Sequence, residues 1–163
     1  MINTAITAFV LVTVYVVTAC IVNRDIPESI SQMVNTLDTT GVWLWTVVMI
    51  LTAVLTMPAA LNAVDEVTHP IAFLACASMV FMALTPIVKH SSELSYNVHM
   101  FSAITSAVSS QLLVATNCPR LLLCWVPFFG AWLIVYILHH HYQWKFWAEF
   151  TCFFTTFILV LNS

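Results

Sequence analysis

Two residues of this chain carry side chains suited to proton transfer in places where water is scarce, His99 and Glu149. His99 lies in Val98-His99-Met100-Phe101-Ser102-Ala103, at the start of a run in which Ser102, Ser106 and Ser110 recur every four residues, with Gln111 next to the last. On a helix that spacing puts the three serines on one side, beginning one turn beyond the imidazole. An imidazole on such a stripe can accept a proton as a general base or hold a transition metal. Glu149 is the one acid well inside an apolar stretch. An ionised carboxylate in hydrocarbon costs several kcal/mol, so it must face the interior, pair with a cation or take up a proton. The candidate catalytic residues are therefore His99 and Glu149, and the candidate binding wall is Ser102, Ser106, Ser110 and Gln111.

The other histidines are His69, His90 and the run His139, His140 and His141. Consecutive helical residues point about 100° apart, so the run cannot close on one metal. His139 and His99, from separate helices, are the candidate metal pair. Each feature also has a plain packing role: an interfacial imidazole bonded to loop backbone, serines that let helices approach closely, and Glu149 paired with Lys145 one turn away. Cys20, Cys76, Cys118, Cys124 and Cys152 show neither CxxC nor metal-ligand spacing. The chain has no GxSxG, HExxH or Walker loop, and the sequence specifies no cofactor.

The elements that must position these residues follow from composition. The chain has 163 residues, 61% hydrophobic and 7% charged, against about 25% charged in soluble domains. So few charges cannot cover a water-facing surface, and lipid must be the solvent for much of the chain. No basic run or stripe is present, which argues against nucleic acid. The charged residues divide the sequence into uncharged tracts, most of them longer than the roughly 18 residues of a spanning helix. The expected spans are 3–22, 42–64, 70–88, 98–117, 121–139 and 145–162, giving a single domain: an all-α, polytopic bundle of six transmembrane helices. Barrel strands would alternate in polarity, and these tracts do not.

In the first loop, Asp25 and Glu28 form a capping-box-like pair, with Pro27 suited to a first turn. Ile26, Ile30, Met33, Val34 and Leu37 then recur at helical spacing. The expectation is a short amphipathic helix over 26–38, lying at the membrane surface and lidding the bundle. Pro70 suits the opening of the third span, while Pro58, Pro86 and Pro127 should kink theirs. Most tryptophans lie near span ends and suggest an aromatic belt. Residues 17–20, Val-Thr-Ala-Cys, resemble a lipoprotein cleavage box, but no Lys or Arg precedes the apolar run, so Cys20 is expected simply to end the first helix.

Arg24, Lys89 and Lys145 fall in loops on one side of a six-span layout and Arg120 on the other, a bias that puts both termini outside. The expected location is a bacterial inner membrane. The segments Ile26-Pro27-Glu28-Ser29-Ile30-Ser31 and Val98-His99-Met100-Phe101-Ser102-Ala103 resemble motifs of six-helix membrane proteins of the Frag1/DRAM and DUF998 type. Here Glu28 interrupts the Pro-Ser pair and the downstream glycines are missing. The resemblance implies a six-helix layout and, from its eukaryotic members, a non-cytoplasmic first loop, opposite to the charge count. Three functions compete. The first is a non-enzymatic bundle that binds membrane lipid or a protein partner, or forms a homo-oligomer. The second is a membrane-embedded lipid-modifying enzyme, metal-dependent or not, around His99. The third is a small channel or transporter lined by the serines.

Overall fold

The computed structural model describes residues 2–24, 26–36, 39–86, 92–139 and 143–162. Among the described residues there are six α-helices and no strand: α1 Ile2–Asn23, α2 Thr39–Ala63, α3 His69–Leu84, α4 Glu93–Asn117, α5 Trp125–His139 and α6 Trp144–Leu161. Short 3₁₀ turns occupy Ser31–Thr36, Glu66–Thr68 and Pro119–Cys124. α1, α2, α4 and α6, and α3 together with the turn before it, are long and apolar enough to cross a membrane. The chain is thus an all-α membrane bundle.

Two expected spans are remodelled by proline. Pro86 has no N–H to offer Met82 O and drives Thr85 out of helical geometry (φ −119°, ψ 57°), so α3 stops at Leu84 rather than 88. Pro127 sits in the first turn of α5, where no amide is required, so it starts a helix instead of kinking one. The chain before it winds as the 3₁₀ turn Pro119–Cys124, and the expected span 121–139 becomes a composite. α4 begins five residues earlier than expected, because the Ser92 hydroxyl caps it by accepting from Ser95 N at 3.2 Å. Pro58 lies inside α2 and Pro70 opens α3.

α1, α2, α3, α4 and α6 pack in a closed ring, each against the next, with α6 returning to α1. The most extensive contact is α3 with α4. It is made of small residues: Ala72, Ala75, Cys76 and Ser78 are buried on α3, and Ser102, Ser109 and Ser110 on α4. Small side chains let the two backbones come close, which is how helices associate when lipid supplies no hydrophobic drive. α5 leans chiefly on the preceding 3₁₀ turn and α6, and most of its described surface is exposed.

The outside is as apolar as the inside. Ile6, Val10, Val14, Val17 and Ile21 form an exposed stripe along α1 at helical spacing. Trp43 and Trp45, two residues apart on α2, point in nearly opposite directions: Trp43 is 69% exposed and Trp45 1%. Trp45 therefore belongs to the core and not to the aromatic belt. The first loop forms a 3₁₀ turn over Ser31–Thr36 in place of an α-helix over 26–38, with Asp25, Leu37 and Asp38 outside the described residues. Its apolar side chains behave as expected, since Ile30, Met33 and Val34 are fully buried and plug one end of the ring against Tyr15, Trp45 and Met82.

Candidate functional site

Glu149 stands one turn inside α6, facing the first loop. Its Oε2 accepts from the backbone N–H of Ile30 at 2.6 Å, and the Ser31 amide also bonds to it. Those amides open the 3₁₀ turn Ser31–Thr36 and have no partner within it, so the carboxylate caps the turn from another element. Around it the start of α6 is fastened twice more. Phe146 N, an orphan donor of the first turn of α6, donates to Glu28 O at 2.9 Å. Gln143 Nε2 donates to Ile26 O at 2.9 Å. Ser29 completes the cap from its own segment, its hydroxyl accepting from Gln32 N at 3.1 Å. Glu149 and Ser29 thus cap this turn, and Asp25, expected to cap it with Glu28, lies outside the described residues. The Lys145 charge also acts on Glu149, while its ammonium lies 6.0 Å from the ring centroid of Trp144, on an exposed side chain.

His99 is completely buried on α4, where it closes the end of α3. Its Nδ1 lies 3.1 Å from Met82 O and 2.8 Å from Thr85 O. Met82 O is the carbonyl that Pro86 leaves without its helical donor. Carbonyls only accept, so Nδ1 carries the proton, and in the neutral imidazole Nε2 keeps a lone pair. That Nε2 is buried with no hydrogen-bond partner.

The polar side of α4 divides its work. Ser106 donates to Ala75 O across the α3 interface at 2.9 Å. Ser110 turns back onto its own helix, donating to Ala107 O at 2.9 Å, and Ser102 is buried. Gln111 joins three elements. Its Oε1 accepts from Trp125 Nε1 at 2.9 Å, and its Nε2 donates to Thr155 Oγ1 at 3.1 Å and Cys152 O at 3.4 Å. Thr155, fully buried on α6, also donates to Thr151 O at 2.9 Å. The bond between Gln111 and Trp125 thus ties α5 to α4.

Ser106, Ser110 and Gln111 therefore bond to helix backbone or to each other's neighbours. Among the described hydrogen bonds, none joins His99 to Glu149. His139 ends α5, and its side chain lies outside the described residues, as do His90, His140 and His141. Among the described residues no three His, Cys, Asp or Glu side chains gather as a metal site would require. Two buried polar residues escaped the reading of the sequence. Tyr15 and Trp45 pack with ring centroids 5.6 Å apart and planes tilted by 51°, and neither Tyr15 Oη nor Trp45 Nε1 has a hydrogen-bond partner. The available signal was the Trp43/Trp45 spacing, which forces one indole inward.

Between α1 and α6 runs a crevice of about 40 Å³, lined by Phe9, Val12, Val16, Ile30, Phe150 and Phe154 among others, with Thr13 the one polar residue among the described residues of its wall. Compared with protein-family models, curated proteins and solved structures, the chain matches none.

Proposed function

We propose that this chain is a non-enzymatic, six-span membrane protein that works by holding membrane lipid against its bundle. The observation that carries the reading is how the reactive groups are used. Glu149 caps the first loop, and His99 Nδ1 caps α3. Groups bonded in this way stabilise a fold, whereas a catalytic pair would be aimed at each other or at a shared cavity. The α1–α6 crevice supplies the contact: its wall is nearly all carbon, it is continuous with the exposed apolar stripe of α1, and a lipid acyl chain matches its chemistry. For the sixth span, the turn Pro119–Cys124 and α5 together rise about 34 Å, enough for a hydrocarbon core of about 30 Å. The resemblance to the six-helix families supports the same layout. Arg24 and Lys145 on one side against Arg120 on the other support termini outside the inner membrane of a bacterium.

The test is photo-crosslinking in reconstituted membranes with a phospholipid bearing a diazirine on its acyl chain. Adducts concentrated on the α1 and α6 peptides containing Phe9 and Phe154 are expected, and are lost when the crevice is filled by Phe153→Trp, Phe153 being another of its lining residues. Labelling spread evenly over the exposed faces would sink the crevice as a lipid site. One observation favours a second reading, a lipid-modifying enzyme around His99: its Nε2 is free to act as a base. That reading requires hydrolysis or transfer on a lipid substrate that disappears in His99→Gln while the variant stays folded.

A further inference from the structure

Three polar atoms from three different helices are buried without partners near one end of the ring: Tyr15 Oη on α1, Trp45 Nε1 on α2 and His99 Nε2 on α4. All three side chains are almost wholly shielded, at 6%, 1% and 0% exposure. Their depth agrees. At about 1.5 Å per residue, Trp45 and His99 each lie about 9 Å inside the start of their helices, and Tyr15 about 12 Å inside the end of α1. These helix ends all belong to the side closed by the first loop. Met82 links the set, because it packs in the same cluster as Tyr15 and Trp45 while its carbonyl faces His99 Nδ1 at 3.1 Å. Thr46, next to Trp45, ties α2 to the same place by donating to Ala83 O at 3.1 Å.

Buried polar groups in native proteins are almost always satisfied, and leaving three unmade in one layer is costly. Their types are complementary to one group in particular. Trp45 offers an N–H that can only donate, Tyr15 offers an O–H, and His99 Nε2 can only accept while Nδ1 keeps its proton on the α3 carbonyls. With the Tyr15 O–H donating, one partner that satisfies all three needs two lone pairs and one hydrogen on a single atom. That is a hydroxyl oxygen. We propose that Tyr15, Trp45 and His99 form one buried site for a hydroxyl group, which donates to His99 Nε2 and accepts from Trp45 Nε1 and Tyr15 Oη. Water and the headgroup alcohol of a small amphiphile are the two sources of that chemistry. Met33 and Val34 of the first loop cover this end of the bundle, so they close the site from the aqueous side.

The experiment is nitrogen NMR of the full chain labelled with ¹⁵N-histidine in lipid nanodiscs. The His99 signals are assigned by their loss in His99→Gln. The expected spectrum shows Nε2 as an unprotonated nitrogen that accepts a hydrogen bond. Tyr15→Phe, which removes one oxygen and keeps the ring against Trp45, and Trp45→Phe should each shift it towards the free lone-pair value. A titration with 1-octanol separates the sources. A saturable shift that Tyr15→Phe abolishes assigns the site to an alcohol, and a hydrogen-bonded Nε2 indifferent to octanol assigns it to water. An Nε2 signal of a free lone pair, or one that neither variant moves, overturns the proposal.

Discussion

At Glu149 a single oxygen 2.6 Å from the Ile30 amide decides what an intramembrane acid is for. Replacing it by Ala leaves that amide buried and unpaired, which should cost about 1–3 kcal/mol. Glu149→Gln keeps an acceptor oxygen and should recover most of the loss, while Lys145→Ala, on an exposed side chain, should change little. Thermal unfolding in detergent ranks the three variants, and hydrogen exchange at Ile30 should rise in Glu149→Ala and stay slow in Glu149→Gln. A larger effect from Lys145→Ala than from Glu149→Ala would restore the ion pair as the explanation. The acid itself was legible in the sequence, as the one carboxylate that a membrane span should not hold without a reason. Its partner was not, because a backbone amide far along the chain leaves no mark in residue types. His99 divides the same way: its position on the polar helix could be read, whereas its pairing with Met82 O required knowing that Pro86 ends α3.

Among the elements, those fixed by apolar length alone were read closely. The expected 3–22, 42–64 and 145–162 became Ile2–Asn23, Thr39–Ala63 and Trp144–Leu161. α3 and α5 were misread on proline position, since Pro86 and Pro127 act by the helical turn they occupy and composition does not reveal that turn, and α4 on the cap that Ser92 supplies. The α3–α4 contact offers a test of small-residue packing. Ser106→Ala removes the bond to Ala75 O and should cost about 0.6 kcal/mol. Ser106→Leu puts a branched side chain between close backbones and should cost about 1–3 kcal/mol. Equal, small losses from both would mean that the helices are not close-packed there. On α4, Gln111→Leu leaves Trp125 Nε1 of α5 without its acceptor and removes the tie to Thr155, which keeps its bond to Thr151 O, and should cost about 0.6–2 kcal/mol. Trp125 emission should shift to the red as α5 loosens from the ring.

Across the whole molecule, Glu149, His99, Tyr15 and Trp45 lie towards one end, whereas two further unpartnered atoms, Thr56 Oγ1 on α2 and Trp132 Nε1 on α5, lie away from it; the other end is a second apolar cluster built on Ala5, Ala59, Ala60, Leu113 and Val160. Asp65 and Ser92 stand at opposite ends of α3. Single cysteines at these two positions, in a background freed of the native five, should react with an impermeant maleimide from opposite faces of the membrane. With the termini outside, Asp65→Cys is labelled in intact cells and Ser92→Cys only after permeabilisation. The reverse pattern would invert the orientation, and labelling of both from one face would remove α3 as a span.

The bond between Ile30 and Glu149 joins positions 119 apart in the chain. A ribosome adds about 5–20 residues each second, so the first loop emerges many seconds before the carboxylate that will cap it exists. Through that interval the loop has its own Ser29 but not its clamp, and the translocon must hold α1 and α2 with their shared end still open. Arrival of the last helix is therefore the event that seals the first. Nascent chains arrested before α6 should show residues 26–36 open to protease, and chains arrested after it should show them closed.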